Sequence, residues 1–321
     1  MEHVPLEAVV LFVVAGLFAV VSGINDGGAL VATGLKLPTV RPVTGVLVLV
    51  VAVAVVPLLT HQVALTFVNR LASFDEPGAR IAMTIAVVAA LIVVTTLSAK
   101  GRPTSLTLAV VGGLTGAGLG WGLPVNGGSV ALVLVFGVAA PIVGGLLAWV
   151  LIRVLVAATT ARGLWRWHWA GFLLQTLAYA SNDAQKMLAV FMVAAGFSGA
   201  PVTYTVLVAA LFGIGTMYGL PRGGRTLSRE IIVSRPAHGV AAELSAGTAV
   251  IASAAAGMPV SMTQAIAGAL IGAGVAQGGG RVRWYAAGKI VAAWLLTLPA
   301  SGLLGWGLAL LMKGFAGVRW T

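Results

Sequence analysis

The chain has 321 residues, 59% of them hydrophobic and 8% charged, where a soluble domain carries about 25% charged residues. A mean hydropathy of +1.04 excludes an ordinary soluble domain. The net charge of +11 sits in short loops between apolar runs, so it reads as membrane topology, not as a nucleic-acid surface. Zero cysteines exclude disulfides and thiol chemistry, and 43 glycines fit close helix packing and helix breaks in lipid.

Several runs exceed the length needed to cross about 30 Å of hydrocarbon as helix, which makes this an all-α polytopic membrane protein. Segment one covers about 6–35 and is expected to break at 23–28. Its flank holds Glu2, His3 and Glu7 without Lys or Arg, the wrong charge for a signal peptide, so it is read as a retained helix. Lys36 and Arg41 follow, then segment two at 43–68 and a loop with Arg70, Asp75, Glu76 and Arg80. Segment three spans 81–98, and 103–120 is a glycine-rich fourth, either spanning or re-entrant. Segment five is 129–156. A basic connector at 158–169, with Arg162, Arg166, His168 and interfacial Trp165, Trp167 and Trp169, divides the chain into repeats at 1–157 and 170–321. The second repeat runs 170–196 with its own break, then 201–220, 239–256, 259–276 and 284–311.

Two boxes recur in both repeats. Gly23-Ile24-Asn25-Asp26 and Ala180-Ser181-Asn182-Asp183 place an amide and a carboxylate inside apolar segments at an offset of 157. Ionisable groups at that depth cost roughly 2.5–3.5 kcal/mol each on insertion scales and mark a substrate or ion path. Residues 101–118 match 257–274 at ten of 18 positions, aligning Pro103, Ser105 and Thr107 with Pro259, Ser261 and Thr263. Five segments per repeat would invert the second relative to the first, the architecture of many secondary transporters. With the N-terminus outside, Lys36, Arg41, Lys100, Arg102, Arg153, Arg162, Arg166, Arg222, Arg225, Arg229, Arg235, Arg281 and Arg283 fall inside.

The chemistry follows from these residue types. Helix starts after Pro103 and Pro259 would present amides and the hydroxyls of Ser105, Thr107, Ser261 and Thr263 to an anion. Broken helices would free carbonyls for cations. An oxyanion facing Asp26, Asp183 and Glu243 would be repelled at low dielectric, so Na⁺ or H⁺ must neutralise the carboxylates first. That expectation is a symporter, without an organic cofactor. Lys186 is either a structural partner of Asp183 or a substrate contact, and Glu243 either a satisfied helix-end carboxylate or a cation ligand. The Gly112/Gly116 and Gly268/Gly272 spacings read as packing, and His61 and His168 as interfacial.

Gly23-Ile24-Asn25-Asp26, Ser181-Asn182-Asp183-Ala184-Gln185-Lys186 and Pro259-Val260-Ser261-Met262-Thr263-Gln264-Ala265-Ile266 resemble the paired signatures of the inorganic phosphate transporter (PiT) family. The resemblance implies a phosphate permease of the cell membrane coupled to Na⁺ or H⁺, not an enzyme, with inverted repeats, outside termini and a homodimeric assembly. It implies that Asn25, Asp26, Ser105, Asn182, Asp183, Ser261 and Thr263 line the phosphate and cation sites. Ala29 stands where the family usually has Asn, Leu106 and Met262 replace hydroxyls, and Gln264 and Leu108 replace His. A sulfate permease of the same architecture is the alternative. A channel would need no alternating access, and an intramembrane hydrolase would leave the Ser/Thr boxes unexplained.

Overall fold

In a medium without water every backbone polar group must be satisfied internally, and this chain does so with helices. The computed structural model describes residues 5–34, 40–71, 78–100, 104–232 and 235–318, with the side chains at 32–34, 161, 221–230 and 316–318 outside the described set. Glu2, His3, Lys36, Asp75, Glu76, Arg102, Pro103 and the side chains of Arg222, Arg225 and Arg229 therefore lie outside the described residues. Among the described residues there is no strand beyond isolated bridges such as Ile232 with Val282.

The first half comprises α1 (Leu6–Ser22), a π-helical turn (Gly23–Gly27), α2 (Gly28–Gly34), α3 (Pro42–Leu59), α4 (Gln62–Leu65), a second π segment (Thr66–Leu71), α5 (Ala79–Ala99), α6 (Leu106–Trp121) and α7 (Gly127–Ala158). The second half comprises α8 (Ala161–Ala195), α9 (Val202–Glu230), α10 (Pro236–Ala255), α11 (Met262–Ala276) and α12 (Trp284–Val318). Among the described residues, six helical stretches are long and apolar enough to cross a membrane, Leu6–Val31, Gly127–Ala158 and Trp284–Phe315 being three of them. Their outward faces carry Val9, Val13, Leu47, Val51, Val135, Val138, Leu295 and Leu303, all exposed as lipid-facing side chains should be. The expected connector is mostly helix: α8 begins at Ala161, and only Thr159 and Thr160 separate it from α7.

Contacts fix which end of the bundle each helix reaches. At one end Arg80 meets Glu7 at 3.6 Å and donates from Nε to the Val193 carbonyl at 3.3 Å. There too Gly78 lies against the Trp121 indole, and the Asn126 amide donates to the Leu71 carbonyl at 3.1 Å. Lys313 Nζ reaches the Trp121 carbonyl at 3.0 Å. At the other end Gly45 packs near Val31 and Phe172, and Gly274 beside Val282 and Ile232. Both ends of the α5–α6 pair thus lie at the first end, and both ends of α10–α11 at the second. These are hairpins, one of the two alternatives left open by the sequence, so 103–120 and 259–276 do not add the net crossings that a count of five per half requires. α6 and α11, at 16 and 15 residues, reach only about 24 and 22 Å, short of the hydrocarbon thickness.

The breaks also differ from expectation. Segment one stays helical through a π turn, and α8 runs unbroken through Asn182 and Asp183. Gly23 and Gly28 serve close approach instead. A Cβ on Gly23 would strike the Phe212 carbonyl and Thr216 amide, and one on Gly28 would strike Gly219 of α9. Where the chain does leave the helix is before α6 and α11, at 104–105 and 256–261.

Packing repeats between the halves. α6 lies on α12 as α11 lies on α7, α5 on α6 as α10 on α11, and α1 on α5 as α8 on α10. Gly112 and Gly116 press on the backbone of Leu298 and Gly302, while Gly268 and Gly272 press on Pro141 and Gly145. The small-residue spacings are packing seams, as read from the sequence.

Candidate functional site

The two extended segments before α6 and α11 meet beside the Asn-Asp boxes. Ser105 and Ser261 each cap their helix, accepting from the Leu108 and Gln264 amides at 3.2 and 3.5 Å. Such serine caps follow from the extended backbone of both residues and the orphan N–H groups of a first turn. The tips touch: Ser105 Oγ donates to Gln264 Oε1 at 3.4 Å, and Thr107 Oγ1 donates to the Val260 carbonyl at 3.1 Å. Ser261 and Thr263 hydroxyls pair at 2.9 Å.

Asp26 sits in the π turn, 3% exposed, and accepts from Asn25 Nδ2 at 2.8 Å. Asn25 itself is half-buried and faces Ser98 of α5. Asp183, on α8, interacts electrostatically with Asp26 across the gap between the two helices. Its Oδ1 accepts from Lys186 Nζ at 2.7 Å, and the carboxylate is buried beside the Met262 backbone. Lys186 also donates to Thr107 Oγ1 and to the Val260 carbonyl, tying α8 to both hairpins. Asn25, Asp26, Ser105, Asp183, Lys186, Ser261 and Thr263 are therefore brought to one place.

The place gathers carboxylates, hydroxyls and helix starts among packed helices. The model described as "Phosphate transporter family" matches residues 168–305. A "Probable low-affinity inorganic phosphate transporter" of Mycobacterium bovis is 31% identical over 96% of this chain and 79% of its own length. One of Bacillus subtilis is 22% identical over 95% of this chain and 97% of its own. The chain belongs to the phosphate transporter family. A solved structure, "The sodium-dependent phosphate transporter", shares the fold of this family member at TM-score 0.82, covering 96% of this chain and 99% of that one at 17% identity.

Two of the expected site residues make their contacts elsewhere in this phosphate transporter family member. Asn182 spends its amide on the hairpin tip: Nδ2 donates to the Met258 carbonyl at 3.0 Å, and Oδ1 accepts from the Val260 amide at 3.1 Å. It shapes the site by holding 258–260 extended. Glu243 lies on α10 beside Gly171, and about 18 Å of helix axis separates Gly171 from Asp183. Its oxygen is 3.5 Å from His168 Nε2, with both side chains only 2% exposed. His168 is thus a buried partner of Glu243 and not an interfacial group, and neither joins the Asp26–Asp183 cluster.

Sequence reasoning missed Gln185 and Thr66. Gln185 Oε1 accepts from the Val63 and Ala64 amides at 2.8 and 3.2 Å, and Nε2 donates to Thr60 and Ser181 carbonyls at 2.8 and 2.7 Å. It splices the α3–α4 break to α8. Thr66 Oγ1 donates to the Gly257 carbonyl at 2.7 Å, fastening the α10–α11 tip to the second π segment. Gln185 stood inside the box as a signal; Thr66 had none.

Proposed function

We propose that this chain carries inorganic phosphate through the cell membrane, coupled to Na⁺ or H⁺, by alternating access. The supporting observation is that two hairpin tips, each begun by a serine-capped helix, converge on Asp26 and Asp183 at mid-bundle. Asn25, Asp26, Ser105, Asp183, Ser261 and Thr263 form the substrate and cation chamber, with amides and hydroxyls for the anion and carboxylates for the cation. Without a cation, two buried carboxylates would expel a divalent oxyanion. Coupling follows from that repulsion.

The halves, 1–157 and 170–321, are inverted repeats in this reading. Three crossings plus a hairpin that returns leave an odd count, and the exchanged helix pairings support it. The end bearing Arg41, Arg153, Arg162, Arg166, Arg235 and Arg281 is cytoplasmic, and both termini lie outside. Lys100 moves from a cytoplasmic loop to a hairpin tip.

Phosphate is favoured over sulfate because HPO₄²⁻ can donate a hydrogen bond to a carboxylate, and sulfate cannot. The buried Asp183 carboxylate, beside the Met262 backbone, is such an acceptor. Uptake of radiolabelled phosphate into proteoliposomes, with Na⁺ and pH gradients imposed separately, tests the reading. Saturable, cation-driven uptake that equimolar sulfate barely inhibits is expected. Uptake that ignores both gradients, or sulfate competing as well as phosphate, would overturn it.

A further inference from the structure

Lys186 is 3% exposed and its ammonium meets three acceptors from three elements: Asp183 Oδ1 on α8, Thr107 Oγ1 on α6 and the Val260 carbonyl before α11. An ammonium has three donors and no acceptor, so every proton is placed. A carboxylate, a hydroxyl and a main-chain carbonyl are also the oxygen types that hold a hard metal cation.

Exchange of the halves maps Asp183 onto Asp26, Thr107 onto Thr263, Val260 onto Thr104 and Lys186 onto Ala29. The first-half set keeps the oxygens and lacks the ammonium. Among the described residues no ion pair reaches Asp26, whose partner is the neutral Asn25 amide at 2.8 Å. Lys186 therefore pairs in direct contact with one pseudo-equivalent carboxylate, whereas its charge reaches the other without a contact.

We propose that Lys186 is a resident cation: it fills, beside Asp183, the place that a coupling ion fills beside Asp26. Each cycle then moves one cation fewer than a carrier in which free ions neutralise both carboxylates. A tethered ammonium cannot leave with phosphate, so Asp183 keeps the same counter-charge in loaded and empty states. Only the charge on Asp26 follows the cation concentration. This inference rests on the symport reading above.

The phosphate gradient that just balances an imposed gradient of the driving cation gives the cation-to-phosphate ratio in proteoliposomes. Lys186→Met should raise that ratio by one cation, since Asp183 now needs a mobile partner. The double variant Lys186→Met/Asp183→Asn, which removes both charges, should return to the wild-type ratio at whatever rate it transports. An unchanged ratio in Lys186→Met overturns the proposal, whereas a wild type that moves no phosphate under any gradient overturns the transport reading instead. An arm without flux is the thermal midpoint in detergent, titrated with NaCl against choline chloride and with pH. Lys186→Met should gain a second saturable stabilisation beyond the one that the Asp26 site gives the wild type and the double variant. Identical titrations in all three overturn the proposal. A third arm needs no variant: cation activation of wild-type uptake should show a Hill coefficient of about one, and about two would refute the resident cation.

Discussion

Asn182 and Gln185 show how a polar side chain inside a membrane protein becomes part of the backbone. Each replaces hydrogen bonds that an interrupted helix would otherwise leave unmade, on 258–260 and on 60–64 respectively. Leaving a buried donor or acceptor unmet costs about 1–3 kcal/mol per group. Gln185→Leu should therefore lower thermal stability by several degrees and reduce transport, because the Val63 and Ala64 amides lose their acceptor. Melting and uptake measured on the same preparation check this, and a variant as stable as wild type would refute the splice. Asp26→Asn has a different expected signature. The protein should fold normally, lose the cation requirement for phosphate binding and transport at a small fraction of the wild-type rate. Coupled uptake at the wild-type rate would remove Asp26 from the site.

At the scale of elements, the hairpins are held by glycine seams and not by apolar side-chain interdigitation. That suits helices surrounded by lipid, where close backbone approach supplies the packing energy. Gly116 lies on Gly302 of α12, and Gly272 on Gly145 of α7, with a backbone carbonyl where a Cβ would go. Neither can yield as a flexible side chain would. Gly116→Ala and Gly272→Ala should each force the helices apart and markedly reduce yield and melting temperature. Gly137 and Gly307 are the internal controls, since a Cβ there meets nothing within 4 Å. Alanine at those positions should be neutral or stabilise by up to about 1 kcal/mol. Four melting curves in one detergent decide it.

The whole molecule is asymmetric in a way its repeats are not. The α10–α11 tip is buried from Gly257 to Ser261 and fastened by Thr66 and Asn182. The end of α5 instead exposes Thr95, Thr96, Ser98 and Lys100, a polar stripe beside half-buried Asn25. Lipid-facing positions on the other helices are valine and leucine, so this stripe fits a water-filled approach from the basic end. The cysteine-free chain allows a direct test with Ser98→Cys and Gly199→Cys. An impermeant thiol reagent should reach Ser98→Cys only from the cytoplasmic side, more slowly with saturating phosphate, and Gly199→Cys only from outside. Labelling of both from one side would refute the topology.

The sequence by itself determined the class and showed the duplicated boxes. Hydropathy identifies apolar helices because lipid tolerates little else. Asn25, Asp26, Asn182 and Asp183 stand out because a charge in such a run needs a reason. Helix starts near Ser105 and Ser261 were legible because Pro103 and Pro259 cannot extend a preceding helix, whereas the caps those serines form were not. What the sequence could not show was direction. A 15-residue apolar helix has the same composition whether it completes a crossing or turns back, and only the contacts of Gly78 with Trp121 and of Gly274 with Ile232 decided that α6 and α11 return. Partners were equally hidden. Whether Asn182 faced an ion or a carbonyl, and whether Glu243 faced Asp183 or His168, depends on how α8 lies against α10 and the tip that follows it, which is a property of packing between residues 75 or 76 positions apart.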